Sequence, residues 1–179
     1  MIVGEGIRLR AIEKHDLPLF VEWFNDPQVL EGLLVYLPIS QEEEESWYTN
    51  MLKRPGPEHV LGIDLLVDEE WNLIGSCGFH DIDWRCRSGE IGISIGDKRY
   101  WNKGFGTQAV RLLVNYGFNT LNLNRIALDV YENNPRAIRA YEKVGFVHEG
   151  RKRQAMFKNG QYMDILLMSL LRSEWQDER

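Results

Sequence analysis

The sequence predicts an α/β domain on a largely antiparallel sheet, and three observations carry that expectation. Strand-like and helix-like stretches alternate in mixed order, a hairpin leads into a strictly alternating strand, and the last two clear helices each lie between strands. At 179 residues the chain suits one core, so 1–179 is taken as a single domain.

Taken in order, Ile7-Arg8-Leu9-Arg10-Ala11-Ile12 alternates apolar and polar side chains, the pattern of a half-buried strand. Asp16-Leu17-Pro18 opens a helix with Asp16 as N-cap, its stripe being Leu17, Phe20, Val21 and Phe24, and Asn25-Asp26-Pro27 ends it. A second helix starts at Ser40, where Ser40 and Glu43 have capping-box spacing and Trp47, Met51 and Leu52 form the apolar face. The acidic run 42–45 falls in its first turn, where carboxylates complement the helix dipole. Strands are expected over 60–67 and 73–84, joined by a hairpin link at 68–72. In the strand from Glu90 to Ile95, Ile91, Ile93 and Ile95 share one face and Glu90, Gly92 and Ser94 the other. Gly92 and Gly96 suggest a bulge or the close approach of a ligand. A Gly-rich turn at 101–107 leads into a helix through Phe118 with Ala109, Leu112, Leu113 and Tyr116 at helical spacing. After a strand at 125–131, Asn134-Pro135 starts a helix whose Ala137, Ile138, Tyr141 and Val144 face inward and whose C-cap is Gly145. Strands at 146–154 and 163–171 close the chain around Asn159-Gly160.

Composition removes several function classes. A net charge of −6 argues against a general nucleic-acid binder; Arg85, Arg87, Arg151, Lys152 and Arg153 read as scattered solvated charge. Two cysteines, Cys77 and Cys86, and four dispersed histidines form no metal spacing; His80 with Cys77 and Asp81 reads as polar strand positions, and no metal is assigned. Met1 to Arg10 lacks an apolar core of signal-peptide length and no 18-residue apolar run occurs, so a cytoplasmic protein with no membrane partner is the expectation.

The chemistry concentrates in Trp101-Asn102-Lys103-Gly104-Phe105-Gly106-Thr107. Glycines without Cβ let the backbone approach an anion, and the free N–H groups of a first helical turn favour phosphate there. The Gly-Lys-Ser/Thr ending of a nucleotide P-loop is missing, and a plain structural connection is the competing reading.

This turn resembles the acetyl-CoA pyrophosphate turn of the GNAT superfamily, with Trp101 where Gln or Arg is frequent. The stretch Asn134-Pro135-Arg136-Ala137 through Tyr141-Glu142-Lys143-Val144-Gly145-Phe146 is similar to that superfamily's Asn-x-x-Ala…Tyr-x-x-x-Gly-Phe segment. Trp23-Phe24-Asn25-Asp26-Pro27 is similar to the branch of ribosomal-protein alanine N-acetyltransferases (Rim-type). Spermidine acetyltransferases resemble the chain at Tyr116-Gly117-Phe118, Leu121-Asn122-Leu123 and Asn159-Gly160-Gln161-Tyr162. The resemblance implies one GNAT-type domain, its mixed, mostly antiparallel sheet splayed in the middle and flanked by helices. It also implies an acetyl-CoA-dependent N-acetyltransferase acting in a ternary complex, with a peptide N-terminus or a small amine as acceptor and a possible homodimer.

On that resemblance the amides of Asn102, Lys103, Gly104, Phe105, Gly106 and Thr107 hold the pyrophosphate, and Lys103 adds charge. Ile93, Ser94 and Ile95 splay from the strand at 127–130 to admit the pantetheine arm. Asn134 bonds the arm, caps its helix, or does both. Tyr141 is the general acid, its phenol pKa of about 10 being near enough to the thiol's, about 8.5, for useful donation; a core aromatic is the other reading. Deprotonating a lysine-like amine at pH 7 costs about 4.6 kcal/mol against about 1.4 kcal/mol for an α-amino group, so a base is useful. Glu90 is that candidate, beside a reading as a salt-bridged strand glutamate, and Ser94 could position the acceptor or a water. Polyamine acetylation, for which the run 42–45 could attract a polycation, and a non-catalytic acyl-CoA sensor are the alternatives. A nucleotide phosphotransferase would need magnesium ligands beside the turn, where Asp97 is the only acidic residue close in sequence. Neither cysteine lies in a nucleophile motif.

Overall fold

Every stretch with strand periodicity forms a strand. In the computed structural model, which describes residues 1–33 and 38–176, the strands are β1 (Ile2–Val3), β2 (Ile7–Ala11), β3 (Leu61–Val67), β4 (Glu70–Asp83), β5 (Ser88–Ile95), β6 (Arg125–Tyr131), β7 (Val147–Lys158) and β8 (Gln161–Leu171). The helices are α1 (Leu17–Trp23), α2 (Pro27–Leu30), α3 (Gln41–Met51), α4 (Phe105–Asn119) and α5 (Pro135–Val144). The strands form one sheet in the order β1-β2-β3-β4-β5-β6-β8-β7, antiparallel throughout except where β5 meets β6.

That exception positions everything else. The β5–β6 ladder runs only from Ser88–Arg125 to Glu90–Ala127, after which the strands part. The gap therefore opens at Ile91 and Leu128; Ala127, expected to lie in it, is the last paired residue. Glu90 sits at the fork. On either side the sheet is held by long ladders, β4 with β5 and β6 with β8, so the splay costs few hydrogen bonds and leaves two strand edges facing a gap.

The main core joins the sheet to α4 and α5 through buried side chains such as Ile63, Phe79, Phe118 and Ile126, each worth about 1.5–3 kcal/mol of burial. A second cluster packs Ile12, Leu17, Phe20, Trp23 and Val29 beneath Trp47, Val60 and Trp101.

Several local expectations are corrected. Asp16 makes no side-chain cap to α1; it is 3% exposed and accepts Arg10 at 2.7 and 2.9 Å and the Glu13 N–H at 2.8 Å, so a buried ion pair takes the carboxylate. Trp23, not Val21, completes the buried stripe of α1. The hairpin link shrinks to Asp68-Glu69, both at positive φ (49° and 68°), because a two-residue turn of that hand matches strand twist and lets Trp71 join β4. The bulge lies opposite the expected strand: β4 shifts register between Phe79 and Asp81, leaving His80 unpaired, while Gly92 pairs regularly with Gly78. At Gly96 the close approach comes from Trp23, whose ring would lie 2.1 Å from a Cβ there. Leu52 is exposed, β1 and α2 were not foreseen, and β7 and β8 run on to a tight turn at Asn159-Gly160.

Candidate active site

Two cavities meet across the splay. The first, about 340 Å³, lies between the end of β5 and the starts of α4 and α5. Its floor is the Gly-rich turn: Gly104 caps α4 at φ +88°, a left-handed conformation that disfavours a side chain, and no side chain caps the helix. Gln108 N makes the first ladder bond, to Gly104 O at 3.1 Å. The N–H groups of Phe105, Gly106 and Thr107 precede it and lie at the positive end of the helix dipole. All three line the cavity with Asn102, Gly104 and the β5 edge from Ile93 to Ile95. Lys103 is not on that wall; its Nζ lies 5.7 Å from the Tyr100 ring centroid.

Cations come instead from α5. Arg136, Arg139 and Lys143 line the cavity, and the Arg136 guanidinium stacks 3.8 Å over the Trp101 ring. Burial lowers the Arg136 pKa from its ordinary value. Trp101 is itself fixed by donating Nε1–H to Ile95 O at 2.7 Å, so the aromatic at the head of the turn holds an arginine at the cavity wall.

The second cavity, about 870 Å³, opens on the other side of the gap and is mostly apolar, with Phe24, Trp47, Val60, Phe79 and Tyr131 on its wall. Ile93, Ser94, Asn134, Ala137 and Tyr141 belong to both cavities. Asn134 caps α5 by accepting the Ala137 N–H on Oδ1 at 3.1 Å, which leaves its amide NH2 for another partner. Tyr141 is 5% exposed and edge-on to Phe146. Burial pushes its phenol well above the ordinary value, and neighbouring Cys77 adds to the effect. Cys77 itself is pushed up to about 12 by burial, so it stays a thiol at neutral pH.

Glu90 reaches the same cavity from the fork, half exposed, with His80 Nε2 3.3 Å from its Oε2. The β4 bulge turns His80 toward it, a common use of bulges beside sites. The acidic run 42–45, taken as one capped helix start, divides. Glu43 closes the capping box with Ser40, and Glu45 pairs with Lys14 at 3.2 Å. Glu44 is 4% exposed on the cavity wall, its Oε1 has no hydrogen-bond partner among the described residues, and burial raises its pKa to about 7. Sequence reasoning missed Arg136 and the pairing of His80 with Glu90, and it named Glu44 only within a run that could attract a polycation. For Glu44 the signal was present: Glu44, Trp47, Tyr48 and Met51 share one helical face.

Among the described residues no group of three or more His, Cys, Asp or Glu side chains is placed to hold a metal ion, and no helix is long and apolar enough to cross a membrane. A bare helix start sharing a cavity with cations, joined through a buried tyrosine to an apolar cavity rimmed by carboxylates, fits an acyl-CoA-dependent transferase.

The comparisons with known proteins agree. Residues 7–147 match the family model described as acetyltransferase (GNAT) domain, and the chain belongs to that family; it is an acetyl-CoA-dependent N-acetyltransferase. It is 32% identical to the uncharacterised N-acetyltransferase p20 of Bacillus licheniformis, with 96% of each chain covered. It is 28% identical to the putative ribosomal N-acetyltransferase YdaF of Bacillus subtilis, over 99% of this chain and 97% of that one. Among solved structures, spermidine N-acetyltransferase from Vibrio cholerae, in complex with CoA and spermine, superposes with a TM-score of 0.85 at 30% identity, covering 96% of this chain and 98% of that one.

Proposed function

We propose that the chain acetylates a primary amine within a ternary complex, using Tyr141 as general acid and Glu90 as general base. The observation that carries this reading is the shared wall: Tyr141 and Ser94 line both cavities, so a thioester in one and an amine in the other meet beside them. Acetyl-CoA supplies an acetyl group activated as a thioester and a diphosphate to be held. The residues present fit it: the left-handed Gly104, the first-turn amides and Arg136 for the diphosphate, and the open edge of Ile93, Ser94 and Ile95 for the amide-bearing arm. Lys103 contributes long-range charge from outside the wall. Asn134 uses Oδ1 as the helix cap and offers its NH2 to the arm, so its two readings are compatible.

The ammonium gives one proton to Glu90, directly or through a water, and the neutral nitrogen forms the new amide bond as the carbon–sulfur bond breaks. Tyr141 passes its phenolic proton to the departing sulfur and is reprotonated by the second proton that the new amide nitrogen sheds. A phenol held above its ordinary pKa keeps that proton until the thiolate appears, and the thiolate forms in the same dry wall, where loss of water raises its basicity too. His80 positions Glu90. The acceptor is a small cationic amine or a peptide N-terminus, supported by carboxylates on an apolar wall and by the names of the ribosomal and spermidine relatives. Two free cysteines, one exposed, suit the reducing cytoplasm.

A thiol-release assay with acetyl-CoA over peptides, polyamines and amino sugars, paired with calorimetric titration of acetyl-CoA, tests the reading. Binding with release for at least one amine is expected. Binding without release for any acceptor would make the protein a sensor, and no binding would remove the reading. Glu90→Gln is expected to lower kcat/KM most for lysine-like amines and to change the pH–rate profile; an unchanged profile removes Glu90 as base.

A further inference from the structure

Three buried polar atoms lack hydrogen-bond partners among the described residues: Glu44 Oε1, Asp64 Oδ1 and Trp175 Nε1. Trp175 carries no charge. Asp64 is compensated through its other oxygen, which accepts Arg8 Nε and Arg10 Nε, each at 2.9 Å. Glu44 has no such compensation, since burial alone acts on its carboxyl, and a carboxylate without a cation at 4% exposure is expensive to keep.

The other carboxylates on the acceptor cavity are engaged. Glu43 is tied to the Ser40 N–H at 2.8 Å, Glu90 faces His80 at 3.3 Å, and Asp129 takes Lys152 Nζ at 2.7 Å. Among the described residues, Glu44 is thus the carboxylate of that wall without a partner. It lines the acceptor cavity alone, whereas Tyr141 and Ser94, at the transfer point, line both cavities. Around it the wall is apolar and aromatic, with Phe24 and Trp47, surface that suits methylene groups and the flank of an ammonium.

We propose that Glu44 is the receptor for a second positive charge on the acceptor, carried on an apolar segment away from the amine that is acetylated. The acceptor class is then a diamine, or a longer amine with a remote cation, lying along the cavity with one nitrogen at Tyr141 and another at Glu44. A monoamine of the same length, with no second charge, fills the apolar wall and leaves Glu44 unpaired, so the enzyme discriminates by charge number rather than by length. The proposal deepens the acetyl-transfer reading and adds a residue that resemblance to relatives did not supply.

The test compares 1,6-diaminohexane with n-hexylamine, and 1,4-diaminobutane with n-butylamine, in the wild-type chain and in Glu44→Gln. Calorimetric titration and thiol release are both measured, and a thermal melt confirms that the variant is folded. The wild type is expected to favour each diamine at least tenfold in kcat/KM, and Glu44→Gln to lower that diamine-to-monoamine ratio at least fivefold, mainly through KM. A ratio that stays unchanged in the variant, including one where both amines weaken equally, overturns the assignment, as does a wild type without preference. Glu44-dependent diamine binding without thiol release would uphold the receptor and sink the transfer reading. Turnover without Glu44 dependence would do the reverse.

Discussion

The two cavities are built by different means. The cavity proposed for acetyl-CoA is floored by backbone: a left-handed Gly104, the amides of one helical turn and the open edge of β5. The acceptor cavity is made by side chains from α3, β4, β5, β6 and α5, with Phe24 from the end of α1. Backbone recognition demands particular residue types at particular spacings, since only glycine takes φ +88° without strain. Side-chain recognition demands only that the right groups arrive together, and many sequences achieve that. The first cavity therefore suits a constant coenzyme and the second a variable acceptor.

The sharpest way to break the contrast is at the shared wall. Tyr141→Phe is expected to lower kcat by about 10²–10⁴ and to leave the acetyl-CoA Kd within about twofold, because a ring still fills the site beside Phe146. Thiol release and calorimetry on the same preparation check it. Full turnover with a good acceptor would make Tyr141 a core aromatic only.

The second effect is on stability. The Glu44 carboxyl is raised from 4.5 to about 7 in the folded chain, so it binds its proton more tightly folded than unfolded. Stability from this group is present in full below pH 4.5, falls as pH rises to about 7, and is flat above. The loss is on the order of 3 kcal/mol. Glu44→Gln is expected to melt at nearly the wild-type temperature at pH 5 and higher than wild type at pH 8, with Glu43, His80, Glu90 and Asp129 of the same cavity unchanged. A difference independent of pH would mean that Glu44 is not the source. Such a gain in stability with a loss in recognition is what a side-chain-built site implies.

Third, Arg136→Ala is expected to raise the acetyl-CoA Kd about tenfold, or about 1.4 kcal/mol, while the diamine-to-monoamine ratio holds. The guanidinium is held 3.8 Å over Trp101, the head of the Gly-rich turn, on the cavity wall, whereas Lys103 stands off that wall. If Lys103→Ala weakens binding more than Arg136→Ala, charge at a distance outweighs the placed guanidinium.

How much of this was legible follows the same division. The strands β2 to β8, the Ser40 capping box and the helix starts at Gly104 and Asn134 were readable because periodicity and capping are local. The point where β5 and β6 part was expected one residue early, since the length of a parallel ladder depends on partners far away in sequence. The bulge at His80 was assigned to the wrong strand for a related reason: glycines in β5 suggested it, but the unpaired residue has a side chain that the bulge directs at Glu90. Glu44 was absorbed into a run whose neighbours cap the helix or pair at the surface, although its spacing to Trp47 and Met51 places it on the inward face.

The smallest effect separates the cavities most cleanly, because both depend on a helix N-cap of the same chemistry. Ser40 accepts the Glu43 N–H at 3.2 Å and sets the start of α3, which carries Glu44 and Trp47. Asn134 accepts the Ala137 N–H at 3.1 Å and sets the start of α5, which carries Tyr141. Replacing either by alanine removes one cap, at about 1 kcal/mol of stability. Their functional consequences should differ. Ser40→Ala loosens a helix that lines the acceptor cavity and not the one proposed for acetyl-CoA, so it is expected to raise the diamine KM severalfold and leave the acetyl-CoA Kd alone. Asn134→Ala removes the cap and also an amide NH2 on the wall common to both cavities, so both constants should rise. Matched stability losses with unmatched binding losses would place Asn134 in the coenzyme site as well as in its helix; equal patterns from the two variants would reduce Asn134 to a cap.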